Sequence, residues 1–256
     1  MNAPAGVSSR KFVFYPDLTI ASAIALIILI ILGTWQLHRR EWKLDLIATI
    51  EARITAEPQS LASVIAKFNS GEDMRYTRVN LRGRFDHASE SHIFGTIGPV
   101  PGYYIFTPMI LERSPESPSI NSIYINRGFV PQELKSVSGR SDGQVDDIIE
   151  VTGLFREKEQ RRGIAKWFEP VDDPEKNIWY TRDPERFAAF HELTNLTTQP
   201  WYIDSSGIEN KSDYPRGNTT RIEFNNRHLE YALTWYGLGA TLIGVWIAFS
   251  WRRDRD

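Results

Sequence analysis

The 256-residue sequence contains no cysteine. That single absence removes disulfides, thiolate nucleophiles, zinc fingers and iron–sulfur ligation. It leaves the compartment open, because a cysteine-free domain survives on either side of a membrane. A clustered basic face is missing too. Thirty lysines and arginines stand against 32 aspartates and glutamates, for a net charge of −2, so nucleic acid is not an expected partner. Catalytic signatures are equally lacking. No nucleophile elbow, phosphate loop, nicotinamide fingerprint or kinase signature occurs. His191-Glu192 fails as a zinc-protease helix because Asn195 stands where the second histidine is needed. The sequence therefore does not read as an enzyme.

What the sequence does have is two long uncharged stretches, one near each end. No residue from Tyr231 to Trp251 carries a charge, and a helix of that length reaches roughly 30 Å, enough to cross the hydrocarbon core of a bilayer. Arg252, Arg253 and Arg255 follow it. The other stretch is Leu18 to Leu37, preceded by Arg10 and Lys11. It is too long for the apolar core of a signal peptide, and it ends in Gly33-Thr34-Trp35-Gln36 with no small-x-small cleavage site, so it reads as an uncleaved anchor. Only 17 residues precede it, short for a mitochondrial transit peptide, which points to a bacterial membrane. Ala21, Ser22 and Ala25 on the first span, and Ala240 and Gly244 on the second, offer small residues for helix packing.

Between the spans the pattern changes. Leu44, Ile47, Ile50 and Ile54 keep helical spacing, so the first helix is expected to run to about Ala56, before Pro58. Leu61 to Phe68 and Pro184 to Leu193 read as helices. Short β-rich runs bounded by turn residues predict strands at Val79–Phe85, Ser91–Phe94, Tyr104–Leu111, Ser122–Val130, Ile148–Phe155, Trp201–Asp204 and Thr219–Phe224. Glu112–Asn121 and Ser136–Asp147 read as polar, low-order inserts, and residues 1–11 as a disordered tail. The expected fold class is a membrane α+β protein: two transmembrane helices flanking a β-rich extramembrane domain, an antiparallel sheet or small barrel. Its segments are a tail at 1–17, spans at 18–37 and 231–251, the domain at 38–230 and a tail at 252–256. Arginines and lysines border both sides of the spans in nearly equal number, so charge alone does not orient the chain.

Several short motifs recur in a fixed order along this frame. They are Gly33-Thr34-Trp35-Gln36 with Arg39 and Trp42-Lys43, then Tyr124-Ile125-Asn126-Arg127-Gly128-Phe129-Val130-Pro131, then Asn177-Ile178-Trp179-Tyr180 with Arg182-Asp183. His228-Leu229-Glu230-Tyr231-Ala232-Leu233-Thr234-Trp235-Tyr236-Gly237 closes the set. In these residues, over about 17–251, the chain resembles the Surfeit-locus protein family, assembly factors for the haem–copper cytochrome c oxidase. Phe129 departs from the tryptophan the family often carries there. The resemblance implies a multi-pass protein of the bacterial inner membrane, with both termini cytoplasmic and the domain periplasmic. It further implies a task in maturing oxidase subunit I at the haem a step, with subunit I and the lipid bilayer as partners and a haem a synthase as a further candidate. Haem a would be a transient cofactor. The alternative is a cofactor-free scaffold for subunit I.

The histidine associated with the family falls on His228. His228, Tyr231 and Trp235 lie at i, i+3 and i+7, so a helix begun early puts them on one side. One reading makes His228 a haem-iron ligand with the two aromatics against the porphyrin edge. The other makes it an interfacial histidine within an aromatic belt. Trp35, Arg39 and Trp42 form the corresponding stripe on the first helix, where Arg39 could hold a haem propionate or a lipid headgroup. His38 is a second, unfavoured ligand candidate. His87 and His92 are expected at the surface, Asp172-Asp173-Pro174 and Glu157–Arg162 in turns. Tyr76, Gly83, Arg127, Trp179 and Tyr180 either stabilise the domain or form a partner surface.

Overall fold

A computed structural model describes residues 10–112, 120–158, 163, 167, 170–193, 199–207, 213–219 and 226–253. In chain order its elements are β1 (Arg10–Phe12), α1 (Pro16–Thr55), β2 (Gln59–Ser60), α2 (Leu61–Asn69), β3 (Arg78–Phe85), β4 (Ser91–Ile97), β5 (Val100–Leu111), β6 (Ser122–Pro131), β7 (Ile149–Glu157), α3 (Pro184–Phe190), β8 (Trp201–Ser205), α4 (His228–Ser250) and β9 (Trp251–Arg253). The chain divides into two units, Met1–Thr49 with Glu223–Asp256, and Ile50–Ile222.

The first unit holds two helices long and apolar enough to cross a membrane. Pro16 pre-sets the first helical turn of α1, and Asp17 beside it complements the helix dipole. No proline interrupts α1 before Pro58. Ile20, Ile24, Ile27 and Ile31 of α1, with Leu233, Ile243 and Val245 of α4, are exposed. Apolar side chains displayed on this scale match a hydrocarbon solvent rather than water. Arg10 and Lys11 belong to a strand instead of a disordered tail. β1 pairs antiparallel with β9, Arg10 opposite Arg253 and Phe12 opposite Trp251, and Val13 N–H donates to the Ser250 carbonyl at 2.9 Å. Backbone groups left over at the helix ends are thereby satisfied.

The second unit is a mixed sheet of seven strands in the order β2-β3-β7-β8-β6-β5-β4, with a further β3–β5 pairing. Its ladder thus returns on itself through β3. The pairings β2–β3 and β6–β8 are parallel, which corrects an all-antiparallel expectation: the long segment between β7 and β8 lets β8 enter alongside β6 rather than by a hairpin. Six of the seven expected strands appear within a few residues of their bounds. The seventh, Thr219–Phe224, lies almost wholly outside the described residues, as do 113–119 of the first insert. β6 is buried along its first nine residues, which is why it reads as a continuous apolar run and not an alternating one. On one side Val64 and Ile65 of α2 pack with Val79, Met109, Ile125, Phe155 and Trp201. A second cluster gathers Phe106, Tyr124, Trp179 and Tyr202 around Phe187 of α3. Ser60 and Asp183 cap α2 and α3 at their N-termini. Gly128 has φ +125°, and any Cβ there would collide with the Arg216 carbonyl, so only glycine fits.

A charge cluster sits within this unit. Glu90, Arg127 and Arg140 are 4%, 1% and 3% exposed. Glu90 pairs with Arg140 through both carboxylate oxygens and accepts from His92 Nε2 at 2.7 Å. Arg127 lies 4.0 Å from Glu90, donates to the Gly143 carbonyl and donates to His87 Nδ1 at 3.2 Å. His87 Nε2–H donates in turn to the Val145 carbonyl at 2.9 Å, so its ring is neutral. The expectation of surface histidines at 87 and 92 is overturned: residues 87–89 form a 3-10 turn instead of strand, and both rings turn toward Glu90 and Arg127. The Ser136–Asp147 insert is likewise no loose loop. It contains two 3-10 turns that deliver Arg140 and the Gly143 carbonyl to the cluster.

Burial works against the charge of Glu90, yet hydrogen bonds from His92 and Arg140 outweigh it and bring its pKa from 4.5 down to about 2. Removing that carboxylate leaves two guanidinium groups desolvated without their counter-ion. Glu90→Gln should therefore lower stability by about 3–5 kcal/mol, read from the urea midpoint of tryptophan emission in detergent. Burial also depresses His87 and His191 below their ordinary 6.5. The unfolded chain then takes up those protons first, so stability is full above about pH 6.5 and falls as pH drops through that value. The unfolding midpoint should decline between about pH 7.5 and 5.5, and decline again below about pH 4.5 as Glu90 becomes the differential proton acceptor.

Candidate functional site

The two long helices meet along a seam. The half-buried or buried positions include Thr19, Ser22, Leu26, Leu29, Gly33 and Gln36 on α1, and His228, Ala232, Trp235, Gly239, Leu242 and Trp246 on α4. Both series alternate steps of three and four, the spacing of helices packed near-antiparallel with ridges in grooves. Between lipid-covered helices no hydrophobic driving force remains, so close packing and hydrogen bonds carry the association. Glycine supplies the close packing. A Cβ on Gly33 would stand 2.7 Å from Tyr236 Cε1, and one on Gly239 would stand 3.2 Å from Leu26 Cδ1. These two glycines, and not Ala240 and Gly244, form the small-residue contact; 240 and 244 are exposed. The physical reason is helical phase, which puts 239 and not 240 in step with 232, 235 and 242.

Among the described residues, three side-chain hydrogen bonds cross the seam. Trp246 Nε1–H donates to Thr19 Oγ at 3.1 Å, Tyr236 Oη pairs with Thr34 Oγ at 3.1 Å, and His228 Nδ1 pairs with Gln36 Oε1 at 2.8 Å. In the last of these the amide oxygen can only accept, so Nδ1 carries the proton and Nε2 keeps the free lone pair. An imidazole whose one nitrogen is fixed by an acceptor while the other stays basic is the arrangement that metal-bound histidines adopt. Such a nitrogen would suit the role of a ligand to haem iron. Gln36 was visible in the sequence only as part of a motif; its role needed the partner helix.

The other expected site residues are placed as follows. Trp235 is half-buried in the seam, one face of the helix shared with His228. Tyr231 is 53% exposed and Trp35 56% exposed, both on flanks rather than in the packed contact. Arg39 is exposed, its guanidinium carbon 3.9 Å from the centroid of the Trp42 ring, a cation–π pair. His38 Nδ1 engages the Thr34 carbonyl of its own helix at 2.9 Å. A groove of about 220 Å³ is lined by Thr19, Ser22, Ala23, Leu26, Leu242, Ile243 and Trp246. It lies near the opposite end of the seam, since Trp246 and His228 are separated by about 27 Å along α4.

In the Ile50–Ile222 unit, Ser91 Oγ lies 3.1 Å from His191 Nε2, a nucleophile–base distance. Ser91 is completely buried, so the pair reads as a packing contact. Among the described residues no group of three or more histidines, cysteines or carboxylates could hold a metal ion. Asp173 caps a 3-10 turn with its carboxylate on Lys176 N–H, the turn expected of Asp172-Asp173-Pro174.

Comparison with known proteins gives one consistent result. The model of the SURF1 family matches residues 23–240. Surfeit locus protein 1 of Rattus norvegicus is 34% identical over 237 residues, covering 87% of this chain and 72% of its own. The Homo sapiens protein of that name is 33% identical over 231 residues, covering 84% and 71%. A SURF1-like protein of Monosiga brevicollis is 32% identical over 228 residues, covering 84% and 81%.

The Gln36 contact makes a direct claim about the imidazole. Nitrogen-15 spectra of histidine-labelled protein in bilayers should show His228 as the Nδ1–H tautomer, and Gln36→Leu should shift it toward the Nε2–H form that a free histidine side chain prefers. A wild-type ring already in the Nε2–H form would contradict the contact.

Proposed function

The chain belongs to the SURF1 family, and on that premise we propose that it assists assembly of cytochrome c oxidase by holding haem a for insertion into subunit I. The family is one of cytochrome oxidase assembly factors, and the reading is accordingly a carrier and not a catalyst. The observation that supports it is the His228–Gln36 bond. His228 Nε2 would hold the haem iron, with Gln36 orienting the ring through Nδ1. Tyr231 and Trp235, one and two turns on from His228, would flank the ligand with aromatic surface. Arg39, beside the exposed Trp35, is the cation for a propionate, reached by exchanging its stacking on Trp42 for a charge-assisted hydrogen bond. Haem a, when bound, supplies the metal centre that the oxidase receives. Its donor is a haem a synthase, its acceptor subunit I. The setting we propose is a bacterial inner membrane, both termini cytoplasmic and the Ile50–Ile222 unit periplasmic.

A second reading draws on the seam itself. Gly33 against Tyr236 and Gly239 against Leu26 leave the helices in contact, and a scaffold that grips subunit I without any cofactor needs only that rigid pair. The two are separated by an absorption spectrum of the full-length protein purified from cells making haem a, wild type beside His228→Ala. Soret and α bands present in the first and lost in the second support the carrier. Bands of equal strength move the ligand elsewhere, His38 being next. No band in either, with subunit I still co-purifying, supports the scaffold.

A further inference from the structure

The β4–β5 hairpin carries an apolar surface feature of the Ile50–Ile222 unit. From Ile93 to Leu111 nineteen residues pass without a charge. Much of that run is core, but its middle is not. β5 pairs with β6 only as far as Gly102, opposite Pro131, so residues 96–101 extend past that pairing and, among the described residues, ladder with each other. Residues 96–101 are all exposed. Ile97 and Val100, directly paired across the turn, are 38% and 43% exposed, and Phe94 behind them is 39% exposed. Gly98 turns the chain at φ +58° with open space around it.

Behind this tip stands a different chemistry. Phe94 meets Tyr103 at 6.0 Å and Tyr180 at 5.9 Å between ring centroids. Lys135 Nζ lies 5.0 Å over the Tyr103 ring, and the Arg182 guanidinium 5.0 Å over Tyr104. Apolar residues at an extremity, then tyrosines paired with cations, is the order in which side chains meet hydrocarbon, interface and anionic headgroup. Pro99 and Pro101 bear no N–H, so the protruding edge is poorly suited to accept a strand from another chain. An occupant that asks for no backbone hydrogen bonds suits it better. The unit is also joined at both ends to membrane-spanning helices, which holds it at high effective concentration beside a bilayer.

We infer that the β4–β5 tip is a membrane-dipping element: Ile97, Pro99 and Val100 enter the acyl region of a lipid surface, with the Tyr103–Lys135 and Tyr104–Arg182 pairs at headgroup depth. The inference is independent of any haem. It gives the extramembrane unit a third, non-covalent attachment to the bilayer, and so fixes its tilt.

The native absence of cysteine makes the test direct. Full-length protein carrying Val100→Cys, or Asp142→Cys as an exposed control, is labelled with an environment-sensitive nitrobenzoxadiazole. It is then placed in nanodiscs of phosphatidylcholine and phosphatidylglycerol, with or without doxyl-labelled lipid. The label at 100 should emit to the blue of the control and be quenched several-fold more by the doxyl lipid. Ile97→Asp added to the Val100→Cys chain should abolish both effects, while near-ultraviolet circular dichroism stays unchanged. Solvent-like emission at 100 with quenching equal to the control overturns the inference. A blue shift without lipid quenching, arising only when other membrane proteins are added, overturns it too and assigns the tip to a protein partner.

Discussion

Glu90 is a carboxylate almost wholly removed from water, and the Ile50–Ile222 unit is arranged around that constraint. An ion so placed is tolerated only when paired and hydrogen-bonded on every side. Arg140 reaches it from an insert rich in serine and glycine, Arg127 from the buried strand β6, and His92 from the next residue but one. Asn177 adds a hydrogen bond to the Glu90 carbonyl at 2.6 Å, which draws in the segment that carries Trp179. That segment then closes the outer edge of β4, with Phe94 N–H on the Trp179 carbonyl at 2.8 Å and Trp179 N–H on the His92 carbonyl at 2.9 Å. One desolvated charge thus organises four stretches of chain far apart in sequence. Burial, with the Arg127 charge beside it, holds the pKa of His87 down.

Lipid imposes a different constraint on the two long helices. Each is apolar nearly all round, and hydrocarbon does not distinguish one face from another. Contact is therefore decided by which positions allow the backbones to approach and which polar groups find partners. Gly33 and Gly239 serve the first requirement; Thr19–Trp246, Thr34–Tyr236 and Gln36–His228 serve the second. The same bond that holds the upper end of the seam also sets the protonation of His228, so helix pairing and ligand chemistry are not separable there. A variant that loosens the seam alters the imidazole, and the reverse holds as well.

Much of the candidate site was legible before any fold. His228 just before one uncharged run, and Trp35, Arg39 and Trp42 at the end of the other, each border the connecting segment, and that shared border put the two stripes at the same end of the helix pair. What stayed hidden was rotation about each helix axis. Trp35, Arg39 and Trp42 share a stripe, yet they fall beside the contact, and Gln36, one residue on from Trp35, is the residue that meets His228. In the sheet, alternation and turn residues located six strands because those signals are local. The Arg140 segment looked like an insert for the same reason: its meaning is a contact 50 residues away with Glu90.

The sequence by itself determined the two long apolar helices, the β-rich character of the stretch between them, and the family. Each follows from properties summed along the chain, whether uncharged length, period-two alternation or motif order. Tertiary structure alone decided the parallel entry of β8, the pairing of Glu90 with two arginines, the phase of the seam and the protrusion of the β4–β5 tip. These are relations between segments, fixed by which desolvated groups find partners and which backbones can touch, and no local pattern encodes a partner that lies elsewhere.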